Sequence, residues 1–230
     1  SWAWGGYYGG QGWLAQLGFI DFAGSSVVHS VGGWLALAGI IVLGPRIGRF
    51  APDGTPRLIA GHNLTLVTLG GFILWLAWFG FNAGSTLTSS GNLGKIMLNT
   101  HLAGVSAVTA YLVISGVMRK AILLSDTVNI SLAGLVAITA GCATMSPVYA
   151  IVTGVGACLA YLAVKRLLDN VQMDDAVYAV AVHVGGGVWG TLAAGLFYEG
   201  DLFSTQRIIV QLMGIGAMFV WSFGLGMVVY

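Results

Sequence analysis

The chain has 230 residues, of which 57% are hydrophobic and only 7% charged, and its net charge is +1. A soluble globular domain carries about 25% charged residues, so this composition excludes a soluble fold, and the small net charge supplies no basic patch for nucleic acid. The 36 glycines show no collagen period and suit close helix packing in a membrane. A spanning helix needs about 20 mostly apolar residues. Seven stretches qualify in chain order: 23–44, 62–84, 96–118, 128–146, 148–165, 175–198 and 208–230. The fourth is short and is expected to stop near Ser146-Pro147, because proline cannot continue a helix. The segment from Trp2 to Trp13 is rich in Trp and Gly and is not a span, and further sequence is expected N-terminal to Ser1. The fold class is all-α integral membrane.

The connections carry the charge. Arg46, Arg49 and Arg57 follow the first span, Arg119 and Lys120 end the third, and Lys165 and Arg166 end the fifth. With seven spans these connections share one side, and the other side holds only Lys95 and Arg207. The positive-inside rule places the Arg/Lys-rich side in the cytoplasm. The first span then runs inward and the C-terminus is cytoplasmic, as in a multi-pass protein of the cell membrane.

The strongest pattern is an internal repeat centred on histidine. Asp21, seven residues, His29, two residues, Gly32-Gly33 is matched by Asp175, seven residues, His183, two residues, Gly186-Gly187. The copies fall on the first and sixth spans, which run in opposite directions by the charge argument. Inverted repeats are a common transporter architecture, with the site near the midplane between halves. A lone histidine in an apolar helix is ordinarily a satisfied core residue. A repeated pair on opposed spans points instead to a path for a small polar solute, because an ionisable group in a membrane is costly. Neutral imidazole offers one donor and one acceptor. The following glycines let backbones approach closely, and Asp21 and Asp175 sit where a carboxylate caps a helix start.

Other features read more plainly. His62 is expected at the membrane interface, and His101 in hydrogen bonding between helices. Cys142 and Cys158 lie in apolar runs and read as packing residues. Gly154, Ala157 and Ala160 read as helix packing. At the end of the second span, Trp78-Phe79-Gly80-Phe81-Asn82-Ala83-Gly84-Ser85 reads as an interfacial aromatic belt. It also reads as a cation-recruiting surface, with aromatic faces for the cation and a hydroxyl to accept its hydrogen bond. Trp4 and Trp13 begin on the same side and could complete such a cage.

These motifs, together with Gly-Pro-Arg-Ile-Gly-Arg-Phe and Ala-Gly-Cys-Ala, resemble the ammonium transporter (Amt/Mep/Rh) family over residues 2 to 230. The resemblance implies an eleven-helix inverted-repeat fold, of which this chain supplies helices five to eleven as one N-terminally incomplete domain, 1–230. It implies a homotrimer with one pore per subunit. Ammonium or ammonia would be recruited externally at Trp4, Phe81 and Ser85, pass a phenylalanine gate that includes Phe81, and cross at His29 and His183. Asp21 would have a largely structural role. A cytoplasmic PII-type regulator or a fused signalling domain belongs among the partners it suggests. Three positions depart from the pattern: Val184 adds bulk beside the second histidine, Tyr7-Tyr8-Gly9-Gly10-Gln11 looks like an insertion, and His101 replaces Asn or a small residue.

Three functions compete. The first is an ammonium transporter or channel. The second is an ammonium sensor, the membrane part of a protein fused to a signalling module. The third, a redox enzyme with His29 and His183 ligating haem or metal, has only the histidine pair in its favour. No enzyme activity, cofactor or metal is expected.

Overall fold

A computed structural model describes residues 2–5, 10–88 and 92–230; most of the Tyr7–Gln11 insertion lies outside the described residues. A short helix α1 (Trp13–Gln16) precedes a π-helical turn, Ser25–Ser30, that continues as α2 (Val31–Leu43). Then come α3 (Leu64–Gly84), α4 (Leu93–Val117), α5 (Leu124–Ile138) and α6 (Pro147–Asn170). A second π-helical turn, Val180–Gly185, leads into α7 (Gly186–Leu196), and α8 (Thr205–Val229) ends the chain.

The seven expected spans are all helical, with shifted ends. Five are long and apolar enough to cross a membrane by themselves, and two, Leu124–Ile138 and Val180–Leu196, are shorter. Four of these five hold 21 to 25 residues, which at 1.5 Å per residue rise roughly 32–38 Å, enough for a hydrocarbon core about 30 Å thick. The entry to α3 is capped by Asn63, whose side-chain oxygen accepts the Leu66 N–H at 2.9 Å.

The fourth span corrects the expectation drawn from Pro147. Its helix ends at Ile138, and Pro147 opens α6 at its first turn, where a missing N–H costs nothing. Residues 139–146 are non-helical, with turns over 139–144. Non-helical backbone at membrane depth persists only where protein satisfies it. Here Phe22 N–H donates to the Ala140 carbonyl and Ala23 N–H to that of Thr139. Ala140 N–H donates to Ser25 Oγ, and Asn99 Nδ2 donates to the carbonyls of Cys142 and Met145.

α5 is the buried centre. Ile130, Ala133, Leu135, Val136, Ala137 and Ile138 have no exposed surface, and α3, α4, α6 and α7 pack around it. α3 instead turns Leu66, Leu69, Phe72, Ile73 and Leu76 outward, as expected of a lipid- or partner-facing side. Cys142 and Cys158 are buried free thiols.

Ion pairs mark the two ends. Arg46 Nε and Nη2 donate to Asp174 at 2.6 and 2.9 Å, Arg49 reaches both Asp174 and Asp169, and Lys165 pairs with Asp126. At the opposite end Lys95 pairs with Glu199, and Arg207 with Asp201 at 2.8 Å. Arg46 follows the end of α2 while Asp174 precedes the second π-turn. The first and sixth spans therefore run antiparallel, as the charge pattern requires.

Candidate functional site

Each histidine of the repeat lies inside a π-helical turn: His29 in Ser25–Ser30 and His183 in Val180–Gly185. The apolar runs there predict ordinary α-helix, and the π-helical form differs from it. The first turn opens at Gly24, whose φ of 113° suits a residue without a Cβ, and the Gly24 carbonyl accepts the N–H of both Val28 and His29. Asp21 Oδ2 accepts the N–H of Ser26 at 3.0 Å and of Val27 at 2.8 Å. In the second copy Asp175 Oδ2 accepts the N–H of Ala181, the residue equivalent to Val27, at 3.0 Å. Both carboxylates thus satisfy free amides at the start of a histidine-bearing turn. Burial pushes the Asp21 carboxyl up to about 6, against the opposing pull of those amides.

The glycines fix how closely the turns meet. A Cβ built on Gly33 would sit 2.7 Å from a Val184 methyl and 2.8 Å from the Val184 amide nitrogen. One built on Gly187 would sit 2.5 Å from the Ser25 carbonyl oxygen and 3.2 Å from Ser30. Val184 itself is buried and packs with Val180, Leu168, Trp34 and Leu37, so its bulk is taken up against α2. Ser26 and Thr191 share a hydroxyl hydrogen bond at 2.7 Å, and Gln211 of α8 donates to the carbonyls of Ile20 and Thr191.

This packing brings the two imidazoles together. Their centroids are 5.3 Å apart with planes inclined by 10°. Trp78 stacks on His29 at 5.0 Å and 15°, and Phe81 lies 5.7 Å from it, tilted by 46°. His29 is 9% exposed, and His29 Nε2 and His183 Nδ1 are buried without a hydrogen-bond partner. Burying such a nitrogen unsatisfied costs free energy. Two of them beside aromatic rings leave a donor or acceptor position on each ring for a small polar solute.

Trp78, expected in an interfacial belt or a cation-recruiting surface, stacks instead on His29. It is 8% exposed, and its indole N–H donates to Thr139 Oγ1 at 3.0 Å. The signal was its i,i+3 spacing from Phe81, which puts both rings on one helix face. Phe81 is 40% exposed, and Ser85 Oγ donates to the Phe81 carbonyl at 2.8 Å. Trp4 Nε1 donates to the Asp21 carbonyl at 2.6 Å. Trp13 packs on Trp2, which also meets Trp221. His101 is exposed on α4 and contacts the rings of Trp75 and Phe79, and His62 is exposed before α3. Among the described residues no cluster of three or more His, Cys, Asp or Glu could hold a metal ion.

Comparison with known proteins adds to this geometry. The model of the Ammonium Transporter Family matches residues 1–230. A putative ammonium transporter of Synechocystis is 48% identical over 94% of this chain and 41% of its own length. The ammonium transporter Amt2 of Archaeoglobus fulgidus is 38% identical over all of this chain and 53% of its own. Among solved structures, a protein titled Sensor Amt Protein superposes with a TM-score of 0.93 at 44% identity, covering 99% of this chain and 58% of that one. Mep2 of Candida albicans gives 0.85 at 28% identity, over 96% and 52%. The chain spans about half the length of the relatives it matches.

Proposed function

We propose, because this chain belongs to the ammonium transporter family, that it forms the histidine-bearing part of a transmembrane path for ammonium or ammonia. The observation that carries the reading is the pair of unpartnered buried nitrogens, His29 Nε2 and His183 Nδ1, on near-parallel rings of two antiparallel spans. Ammonium is drawn to the end of α3 where Phe81 offers a ring face and Ser85 a hydroxyl oxygen. The indole of Trp4 hangs at the same end through the Asp21 carbonyl. A bare cation loses its hydration on entering the apolar interior, which disfavours the charged form. The solute gives a proton back to water at the open external end and passes the histidines as neutral ammonia, exchanging hydrogen bonds with their free nitrogens.

Asp21 and Asp175 hold the turns that carry the histidines. Seven of the nine basic residues at one end support a cytoplasmic placement of that end and of Tyr230. The family resemblance supports a homotrimer and a cytoplasmic regulator as partners of the whole protein. The reading is tested by ammonium flux and ammonium-evoked current in proteoliposomes holding the full-length protein. H29A/H183A is expected to lose flux or selectivity over potassium. Full flux with unchanged selectivity in that variant would overturn the pore assignment.

A second reading, an ammonium sensor, is favoured by the 0.93 superposition on the protein titled as a sensor. In that case the same site binds ammonium with little flux, and the complete reading frame carries a signalling module. A frame without one, together with rapid flux, removes this reading.

A further inference from the structure

We infer that Tyr178 is a positioning residue for His183, held in place by Lys165 and Asp126; this rests on the reading of His183 as a pore residue. The two copies of the repeat share a feature that the sequence pattern does not display. The residue five before each histidine is in the left-handed region: Gly24 with φ of 113°, and Tyr178 with φ of 59°. Glycine adopts that conformation freely. A bulky aromatic residue does not, and it stays there only where its surroundings over-determine it.

The surroundings of Tyr178 do so. Its N–H donates to the Asp175 carbonyl at 3.1 Å, and its own carbonyl accepts the Val182 N–H at 2.9 Å, one residue before His183. Its ring packs on Tyr161 at 6.0 Å and carries the Lys165 ammonium 4.7 Å above its face. Lys165 in turn is fixed. Its Nζ donates to both carboxylate oxygens of Asp126, at 2.6 and 2.8 Å. The hydroxyl of Tyr161, which has no exposed surface, donates to Asp126 Oδ1 at 2.8 Å. A chain of contacts thus runs from the first turn of α5 through α6 to the turn bearing His183.

Tyr178 also borders a cavity of about 330 Å³ at the basic end, with Arg46, Arg49 and Asp175. Its ring therefore stands between the fixed α5–α6 ion pair and that opening. The first copy has a glycine at the equivalent position, also at positive φ. The placement of His183 depends on a cation–π contact, whereas Gly24 needs no aromatic hold.

The test compares Y178F, Y178G and K165M/D126N in the full-length protein, the double variant avoiding a buried unpaired carboxylate. Two readouts are used: amide hydrogen exchange over residues 179–184, and the concentration dependence of ammonium flux. Y178G relieves the backbone and folds, yet its exchange is expected to speed about tenfold. Its maximal flux is expected to fall about tenfold with half-saturation unchanged. K165M/D126N behaves likewise, and Y178F, which keeps the ring face, matches the parent. Unchanged exchange in Y178G and K165M/D126N overturns the inference, as does exchange that speeds with flux intact where H29A/H183A itself loses flux. Y178F as disturbed as Y178G assigns the effect to the hydroxyl and also overturns it. Exchange does not depend on transport. If exchange speeds as expected while H29A/H183A conducts fully, the pore reading fails and the tether stands.

Discussion

Gly33 lies against Val184, the residue after His183, and Gly187 lies against Ser30, the residue after His29. The contact is reciprocal, each copy of the repeat lending the glycine four after its histidine to the turn of the other. It sets the approach of the antiparallel spans and hence the 5.3 Å separation of the imidazoles. G33A is expected to lower the melting temperature in detergent, with a cost of about 1–3 kcal/mol from overpacking. V184A is expected to restore only part of it, because the added methyl also meets the Val184 amide nitrogen at 2.8 Å, and backbone cannot be trimmed. Melts of G33A, V184A and the double variant measure this, and full restoration would contradict it.

Asp21 combines a cap with an unusual proton affinity. It precedes the first spanning helix, and burial raises its carboxyl from 3.8 to about 6. The native carboxyl therefore holds its proton more tightly than the unfolded one. Its contribution to stability is greatest below the unfolded value, declines as pH rises from 3.8 toward about 6, and is flat above. Across two units the change is about 3 kcal/mol. D21N keeps an acceptor for the Ser26 and Val27 amides and is expected to fold with this slope flattened. D21A, which leaves those amides open, is expected to be less stable than D21N at every pH. Thermal melts from pH 4 to 7 separate the two, and a D21N slope equal to the parent's would refute the titration.

Trp78 is a packing partner of the histidine as well as a core residue. W78A removes a buried ring and is expected to cost about 3–5 kcal/mol. W78F keeps most of the volume and loses the bond to Thr139, for about 1 kcal/mol. His29 should register both changes. Its ring NMR signals are expected to shift strongly in W78A and modestly in W78F, and unmoved signals in W78A would place the indole away from the imidazole.

The elements legible in sequence were those fixed by local rules. Seven apolar runs gave seven helical segments, and the spacing from Asp21 to Gly33, repeated from Asp175 to Gly187, located the two turns that meet. The π-helical form of those turns was not legible, since one extra residue per turn follows from tertiary partners such as Asp21 Oδ2 and the Gly24 backbone. The same holds for the end of α5. Proline at 147 looked like a stop but serves as a start, and Ile138 ends its helix because the backbone beyond it bonds Phe22 and Ala23, more than a hundred residues earlier. Trp78 was visible by spacing, yet its neighbour His29 lies 49 positions away in sequence, and only the packing of α3 on the first π-turn decides that contact.

Asp174 ties the loop after α2 to the start of the sixth span. Its side chain is 2% exposed and accepts three hydrogen bonds from Arg46, two from the guanidinium and one from the backbone N–H, and a fourth from Arg49. The Arg46 guanidinium holds its carboxyl below the usual carboxylate value of 3.8. A lowered carboxylate contributes stability that is present above the unfolded value and is lost as pH falls through the native one. D174N removes the charge and keeps the shape, so it is expected to cost about 2 kcal/mol at neutral pH. Half-exposed Arg46 keeps the loss well short of that for a fully buried pair. The cost should shrink as the parent is acidified below 3.8 and its own carboxylate is protonated. Melts of parent and D174N at neutral pH and near pH 3 measure the difference; a gap that persists undiminished in acid would show that the carboxylate's charge is not what holds the loop.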